Sequence, residues 1–195
     1  MKTTVETITG KRLNLASPHI DQICLEDIIY SLSRIARFNG HTNGEFVYSV
    51  AQHSVWCAMA AMRFFGASYE TALKVLLHDA HEAYTGDITT PLKQCNVLYI
   101  EPLQTKLQSL IYSQLDITPP EREEQDLIKV VDEYALAIEA FTLTNSKGRD
   151  WGLPVPPIKH YEIMQHPMPP LEAHKKMYDA YILLINHNSL NQLCA

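Results

Sequence analysis

The stretch YETALKVLLHDAHEAYTGD, residues 69–87, decides how this chain is read. Its first half is amphipathic. Leu73, Leu76, Leu77 and Ala80 recur at helical spacing and predict an apolar stripe. Ser68 stands where an N-cap is needed and Gly86 just past the end, so the pattern predicts one helix over 69–84. The second half raises the question. His78, Asp79, His81 and Glu82 follow two leucines within five positions, and Asp87 comes directly after Gly86. Charged groups beside an apolar face are costly unless paired or bound to metal. On a continuous helix His78 and Glu82, four apart, share a face, with Asp79 one position round.

Working outward, "EFVYSVAQHSVWCAMAAMRFF" carries Ser49 and Gln52 at capping-box spacing and runs to Gly66. This puts His53 in the first turn of the preceding helix. Farther upstream, "LEDIIYSLSRIARF" sets Ile28, Ile29, Leu32 and Ile35 on one helical face and stops at Asn39-Gly40. "TVETITGKRLNLASP" reads as a short hairpin or extended arm around Thr-Gly. Downstream, "PLKQCNVLYIEPLQTKLQSLIYSQL" reads as irregular and then helical from about Pro102. Pro119-Pro120 opens "EREEQDLIKVVDEYALAIEAFTL", whose expected core stripe is Leu127, Val131, Tyr134, Ile138 and Phe141. Asp132 lies beside Val131, near that seam. "NSKGRDWGLPVPPIKHYEIMQHPMPP" is Pro-rich and polar and reads mainly as loop, and "LEAHKKMYDAYILLINH" as a closing helix. The expectation is one all-α domain over 1–195, a helical bundle with a short N-terminal extended arm or hairpin.

Composition narrows the function classes. The chain has 195 residues, 46% hydrophobic and 19% charged, with net charge −6. That argues against a general nucleic-acid or membrane-surface binder, which needs a basic face. A small anionic substrate stays compatible, because a metal and a few basic side chains reverse the field locally. Cys24, Cys57, Cys95 and Cys194 form no C-x-x-C pair, which weighs against a cysteine-type zinc site. The N-terminus lacks the apolar core of a signal peptide, and no run nears ~18 apolar residues. The expected location is the cytoplasm, that of the host if the chain is phage-encoded.

Each charged residue has an ordinary reading when taken alone. An adjacent His-Asp pair is commonly a surface or capping pair, His53 a core histidine, Asp132 a solvated helix acid. The combination points elsewhere. A His on its own helix, then His-Asp, a Glu three later, Gly-Asp, and a distant Asp on an apolar-flanked helix suit a mixed nitrogen–oxygen metal site in a bundle.

The blocks "LSRIARFNGH", "YSVAQHSV", "LLHDAHEAYTGDITTPLK" and "VVDEYALAIEA" resemble the HD-domain metal-dependent phosphohydrolases. Within them the chain is similar to the compact deoxynucleotide-acting branch of 5′-deoxynucleotidases and phage dATP triphosphohydrolases. The specific part is "HDAHEAYTGDITTPLK", with its Glu and G-D-x-x-T-P-x-K. The resemblance implies that His53, His78, Asp79 and Asp132 are metal ligands for one divalent transition ion (Co, Mn, Zn, Ni or Fe). It implies that Glu82 and Asp87 are the catalytic acids. Arg37-Phe38 falls where the nucleotidases have Arg-Trp near substrate. Gln52 stands where a Glu often precedes the first ligand.

The chemistry expected is attack of metal-activated water on the α-phosphorus, with Glu82 taking the proton. Substrate contacts are expected from Arg37, Phe38, His41, His81 and Lys93. Lys74 and Lys129 are further cations for a long anionic tail. The favoured activity is hydrolysis of dNTPs, dATP first, to deoxynucleoside and triphosphate. The alternative is a 5′-deoxynucleotidase acting on dNMPs. A non-catalytic metal-containing binding or signalling module is the competing class, and a cyclic-dinucleotide phosphodiesterase a further one. Related enzymes imply a homo-oligomer.

Overall fold

The computed structural model describes residues 3–95, 97–161 and 166–193. The fold is mostly helical. Strands β1 (Thr4–Glu6) and β2 (Arg12–Asn14) form an antiparallel hairpin with Val5 opposite Leu13. The hairpin is pinned to α1 (Leu25–Leu32) by the buried Asp27, which accepts from the Thr9 N–H at 3.0 Å and its hydroxyl at 2.9 Å. Leu13 is buried in the main core, so the arm is part of the body.

Helix α1 ends sooner than its periodicity predicts. The Ser33 hydroxyl bonds back to the Tyr30 carbonyl, and the chain leaves the helix. Ala36 then forms a bridge with Ser49, with Val50 N–H donating to Ile35 and Arg37 N–H to Tyr48. A non-local pairing thus takes over a segment that is locally helical in pattern.

Helix α2 (Val50–Phe65) matches the expectation at both ends. Ser49 accepts from the Gln52 N–H, and Gly66 closes the helix at φ 70°, a conformation that favours glycine. Its alanines, Ala51, Ala58, Ala60 and Ala61, are buried and let neighbouring helices approach closely. Helix α3 (Tyr69–Leu76) is capped by Ser68. It stops at Leu77, and α4 is only Glu82–Thr85. Residues 77–81 form turns with i+3 hydrogen bonds, such as Ala80 N–H to Leu77 and Glu82 N–H to Asp79. The single helix expected over 69–84 is therefore two helices with the His-Asp pair between them. Leu73, Leu76, Leu77 and Ala80 are all buried, because the i+3 turns keep the apolar side inward.

Helices α5 (Thr90–Cys95) and α6 (Val97–Gln114) start before the expected Pro102, which lies inside α6. Helix α7 spans Arg122–Leu143. Its buried stripe is Val131, Ala135 and Ile138. Phe141 is exposed, and Leu127 and Tyr134 are partly buried. The Pro-rich segment is loop apart from one turn, α8 (Ile158–Tyr161), with residues 162–165 outside the described set. Helix α9 spans Pro170–Leu193. One core joins the hairpin, α1, α2, α3, α6 and α9. A second seam, of Trp56, Cys57, Ala60, Val75, Val131, Ala135 and Ile138, joins α2, α3 and α7. The charged cluster sits in this second seam. Among the described residues, no helix is long and apolar enough to cross a membrane.

Candidate metal centre

His53 projects from α2, His78 and Asp79 from the turn after α3, and Asp132 from α7. Their ligating atoms converge. His53 Nε2 lies 3.1 Å from Asp132 Oδ1 and 3.6 Å from Asp79 Oδ2. His78 Nε2 lies 3.2 Å from Asp79 Oδ2, 3.9 Å from Asp132 Oδ1 and 3.4 Å from His53 Nε2. Ligands about 2.1 Å from one ion stand roughly 3–3.5 Å apart in octahedral or tetrahedral geometry. Three of the five separations, at 3.1, 3.2 and 3.4 Å, have that spacing, and the other two, at 3.6 and 3.9 Å, are a few tenths of an ångström longer.

The two imidazoles are held from behind. His78 Nδ1 is 2.7 Å from the Val75 carbonyl, so it donates there and turns Nε2 toward the cluster. His53 Nδ1 is 2.6 Å from Glu139 Oε1. Such partners fix tautomer and ring orientation, and they are characteristic of metal-ligating histidines. His53 is fully buried, whereas 44% of the Asp132 side chain is exposed, so the cluster opens to solvent beside Asp132.

The electrostatics call for positive charge. Burial and Arg37 press the His53 pKa down, yet Cys57, Glu139 and Asp132 hold it well above its ordinary value. Burial likewise opposes His78, which the neighbouring Asp79 and Asp132 raise. Asp79 is held well below the usual carboxylate range against its own burial by His78, His53 and Arg37. Asp132 is also low, held there against burial by both histidines. The carboxylates thus favour positive charge at the two imidazoles, a demand that protons or a metal ion would meet. His53, Cys57, His78 and Asp132 offer ligand atoms all within 4.8 Å of one another and could hold a metal ion, and Asp79, His81 and Glu82 form a second such group beside them.

Glu82 lies within 4.8 Å of Asp79 and His81, measured between their ligating atoms. Its side chain is buried and Oε2 has no hydrogen-bond partner. Burial, with Asp79 and Asp87 adding to it, pushes its pKa up to about 9. Since α3 stops at Leu77, the expected shared helical face of His78 and Glu82 does not exist. The tight turn brings Glu82 alongside instead. Gly86, at φ 79°, turns the chain out of α4 to place Asp87, whose pKa is raised by burial while Arg37 and His53 act against it.

The remaining predicted residues divide. His81 and Lys93 line a cleft of about 510 Å³ that begins at His78 and runs along α6 past Gln104 and Gln108. His81 is fixed by Gln108, whose Oε1 accepts from its backbone N–H and lies 3.1 Å from its Nδ1, and burial lowers its pKa. Arg37 is nearly buried and occupied: Nε and Nη2 reach Glu139 Oε2 at 3.0 and 2.9 Å, and Nη1 is 3.9 Å from Asp79. Phe38 sits in the left-handed region at φ 55°, and its ring pairs with Trp151 at 6.2 Å. His41 is exposed, and no described contact joins its side chain to the cluster.

The sequence reading missed three residues. Glu139 follows Asp132 by seven positions, on the same face of α7, and is a carboxylate among Ala and Ile. That spacing was the available signal. Cys57, one turn after His53, lies with its sulfur 3.6 Å from His53 Nε2 and 3.7 Å from Nδ1; burial pushes its pKa up to about 11, so it stays a thiol. Trp151 offers no local signal.

The fold and site define a helical protein with a half-buried two-His, two-Asp cluster backed by a largely buried Arg–Glu pair. The chain belongs to the family of the uncharacterized protein YfdR of Escherichia coli, to which it is 33% identical over 147 residues, 75% of this chain and 76% of that protein. It is also 41% identical over 87 residues to the uncharacterized protein RCAP_rcc00048 of Rhodobacter capsulatus, covering 44% of each chain. No family model matches the sequence.

Proposed function

We propose that this protein is an HD-type metal-dependent phosphohydrolase acting on deoxynucleotides. The observation that carries the proposal is the convergence of His53, His78, Asp79 and Asp132 within 3.1–3.9 Å with the partnerless Oε2 of Glu82 beside them. Two imidazoles and two carboxylates suit a divalent transition ion such as Mn, Fe, Co, Ni or Zn. Such an ion supplies Lewis-acid polarisation of a phosphoryl oxygen and acidification of water. The chain's own groups do the rest. Glu82 holds or takes a proton at its carboxyl. Asp87, in the field of Arg37, Asp79 and Lys93, helps orient the attacking water. Lys93 lines the adjoining cleft, where a cation suits phosphate, and His81 lines it with Nδ1 turned to Gln108 Oε1. Phe38 and Trp151 offer ring surface for a base on the Arg37 side.

A charge count favours the shorter anion. The triphosphate expectation drew on Arg37, Lys93, Lys74 and Lys129. Arg37 is engaged by Glu139, and Lys74 is buried against Glu70 and Glu124. Lys93 is the cation of that set lining the cleft. This supports 5′-deoxynucleotidase action on dNMPs above dNTP hydrolysis with dATP preferred. The test is to incubate the protein with each dNMP, dNTP and rNTP in Mn or Co and resolve the products. Orthophosphate from dNMPs supports the nucleotidase reading, and inorganic triphosphate from dATP the other. Stoichiometric metal with no turnover of any deoxynucleotide would leave a metal-containing binding or signalling module.

A further inference from the structure

We propose that Arg37 acts on the metal centre through Glu139, as a positioning pair, and does not bind substrate phosphate. The inference rests on the metal-centre part of the proposed function. Glu139 has both carboxylate oxygens engaged: Oε1 with His53 Nδ1 at 2.6 Å, Oε2 with Arg37 Nε at 3.0 Å and Nη2 at 2.9 Å. Its side chain is 1% exposed, and that of Arg37 is 11% exposed. The pair is charge-neutral, so it orients the His53 ring without adding to the charge of the inner ligands. Swinging Arg37 out to a phosphate would take both of its contacts from Oε2 of a buried carboxylate, which is strongly unfavourable.

The backbone is built around this inward pose. The Arg37 N–H donates to the Tyr48 carbonyl at 2.9 Å. The next two residues, Phe38 and Asn39, both take left-handed conformations, at φ 55° and 52°. A bulky residue in that region is strained, and strain of this kind persists where the surroundings over-determine it. The same guanidinium reaches toward Asp79, with Nη1 3.9 Å from Oδ2. Arg37 therefore spans from the back of one ligand, His53, to another, Asp79, across three elements distant in sequence.

The consequence is separable by experiment. Partners behind a metal-ligating histidine are worth about 10–100-fold in metal affinity. Mn or Co affinity is measured by competition with a chromophoric chelator for the wild type, Glu139→Gln, Arg37→Lys and the double variant, with circular dichroism as the folding check. Both single variants should lose about 10–100-fold in affinity. The double variant should lose no more than the worse single one, because the residues act in series. In metal-free protein, ¹⁵N NMR of the His53 imidazole should show the Nδ1 environment altered in Glu139→Gln, with partial recovery in Glu139→Asp. At saturating metal, KM for whichever phosphoester the protein hydrolyses should stay within about twofold in Arg37→Lys, against the tenfold expected for loss of 1.4 kcal/mol of phosphate binding. Wild-type metal affinity in Arg37→Lys, or a KM raised tenfold, would overturn the inference and leave the proposed function standing. A wild-type protein that binds no metal would overturn both, and one that binds metal without turnover would overturn the activity alone.

Discussion

Helices α3 and α7 meet twice through buried charge, and the two meetings differ. At the first, Lys74 donates to Glu124 at 2.7 and 2.9 Å and to Glu70 at 3.0 Å. Glu124 also accepts from the Thr71 hydroxyl and the Glu121 N–H. The surplus carboxylate, Glu70, is 53% exposed and is solvated. This cluster is closed. At the second, just past the end of α3, Asp79, Asp132 and Glu139 share one fixed cation, Arg37. Asp132, with its side chain 44% exposed, is partly solvated, and the rest of the balance falls to the imidazoles of His53 and His78 or to a metal ion. Buried charge is therefore no sign of function by itself. Buried charge that its own neighbours do not balance is the informative kind.

The largest effect should follow from breaking the open cluster. Asp79→Ala removes a carboxylate that faces both histidines, and on the proposed function metal measured in the purified protein should fall to trace levels. Metal polarisation is worth several kcal/mol, so hydrolysis should drop by ~10³-fold or more. Full metal content in this variant would remove Asp79 from the ligand set. Next in size, Glu82→Gln keeps shape and burial but cannot take a proton. Its turnover should fall by about 10²–10⁴-fold with metal content unchanged. Unaltered turnover would reassign the proton-handling group, with Asp87 the first candidate.

What could be read from the sequence follows the same division between local and non-local causes. Helix α2 was legible at both ends because Ser49, Gln52 and Gly66 are local signals. That His53, His78, Asp79 and Asp132 belong together was legible because their residue types and spacings are unusual. The break after Leu76 was not, because the apolar period continues unbroken through Ala80 in i+3 turns as it would in a helix. The early end of α1 was hidden for a related reason: Ile35 fits the helical period, but its carbonyl pairs with Val50. Glu139 is hidden because a lone acid within the apolar period of α7 has the pattern of a solvated face, and the same period places Phe141 inward where it is exposed. The Pro102 expectation failed because a proline tolerated inside α6 was taken for a start.

A smaller effect is expected at the closed cluster. Lys74→Met keeps chain length and apolar contact but removes the donor to Glu124 and Glu70. Hydrogen bonds to charged groups are worth about 1.5–3 kcal/mol, and Glu124 regains some solvent, so urea unfolding should show a loss near the low end of that range. Metal content and turnover should match the wild type. If metal were lost as well, the two clusters would be coupled along α3, and the division between closed and open would fail.

The smallest effect is the pH dependence of that same pair. Burial opposes the ionised Glu124, but Lys74, the Glu121 N–H and Thr71 outweigh it and hold its pKa below the ordinary glutamate value. Burial also opposes the charged Lys74, while Glu124 and Glu70 outweigh it and hold the pKa up. A depressed carboxyl contributes stability that is complete above its unfolded value, about 4.3 for glutamate, and is lost as pH falls through the folded value. A raised ammonium contributes stability that is complete below its unfolded value, about 10.4, and is lost as pH rises through the folded value. The contribution of the pair should therefore be flat across neutral pH and fade at the acid end. Urea unfolding of wild type and Lys74→Met from pH 7 to pH 3 measures it, because the difference between the two curves cancels the other carboxylates. That difference should hold constant down to about pH 5 and shrink below about pH 4. A difference that stayed constant to pH 3 would mean that Lys74 stabilises by packing its methylenes, with its charge contributing nothing.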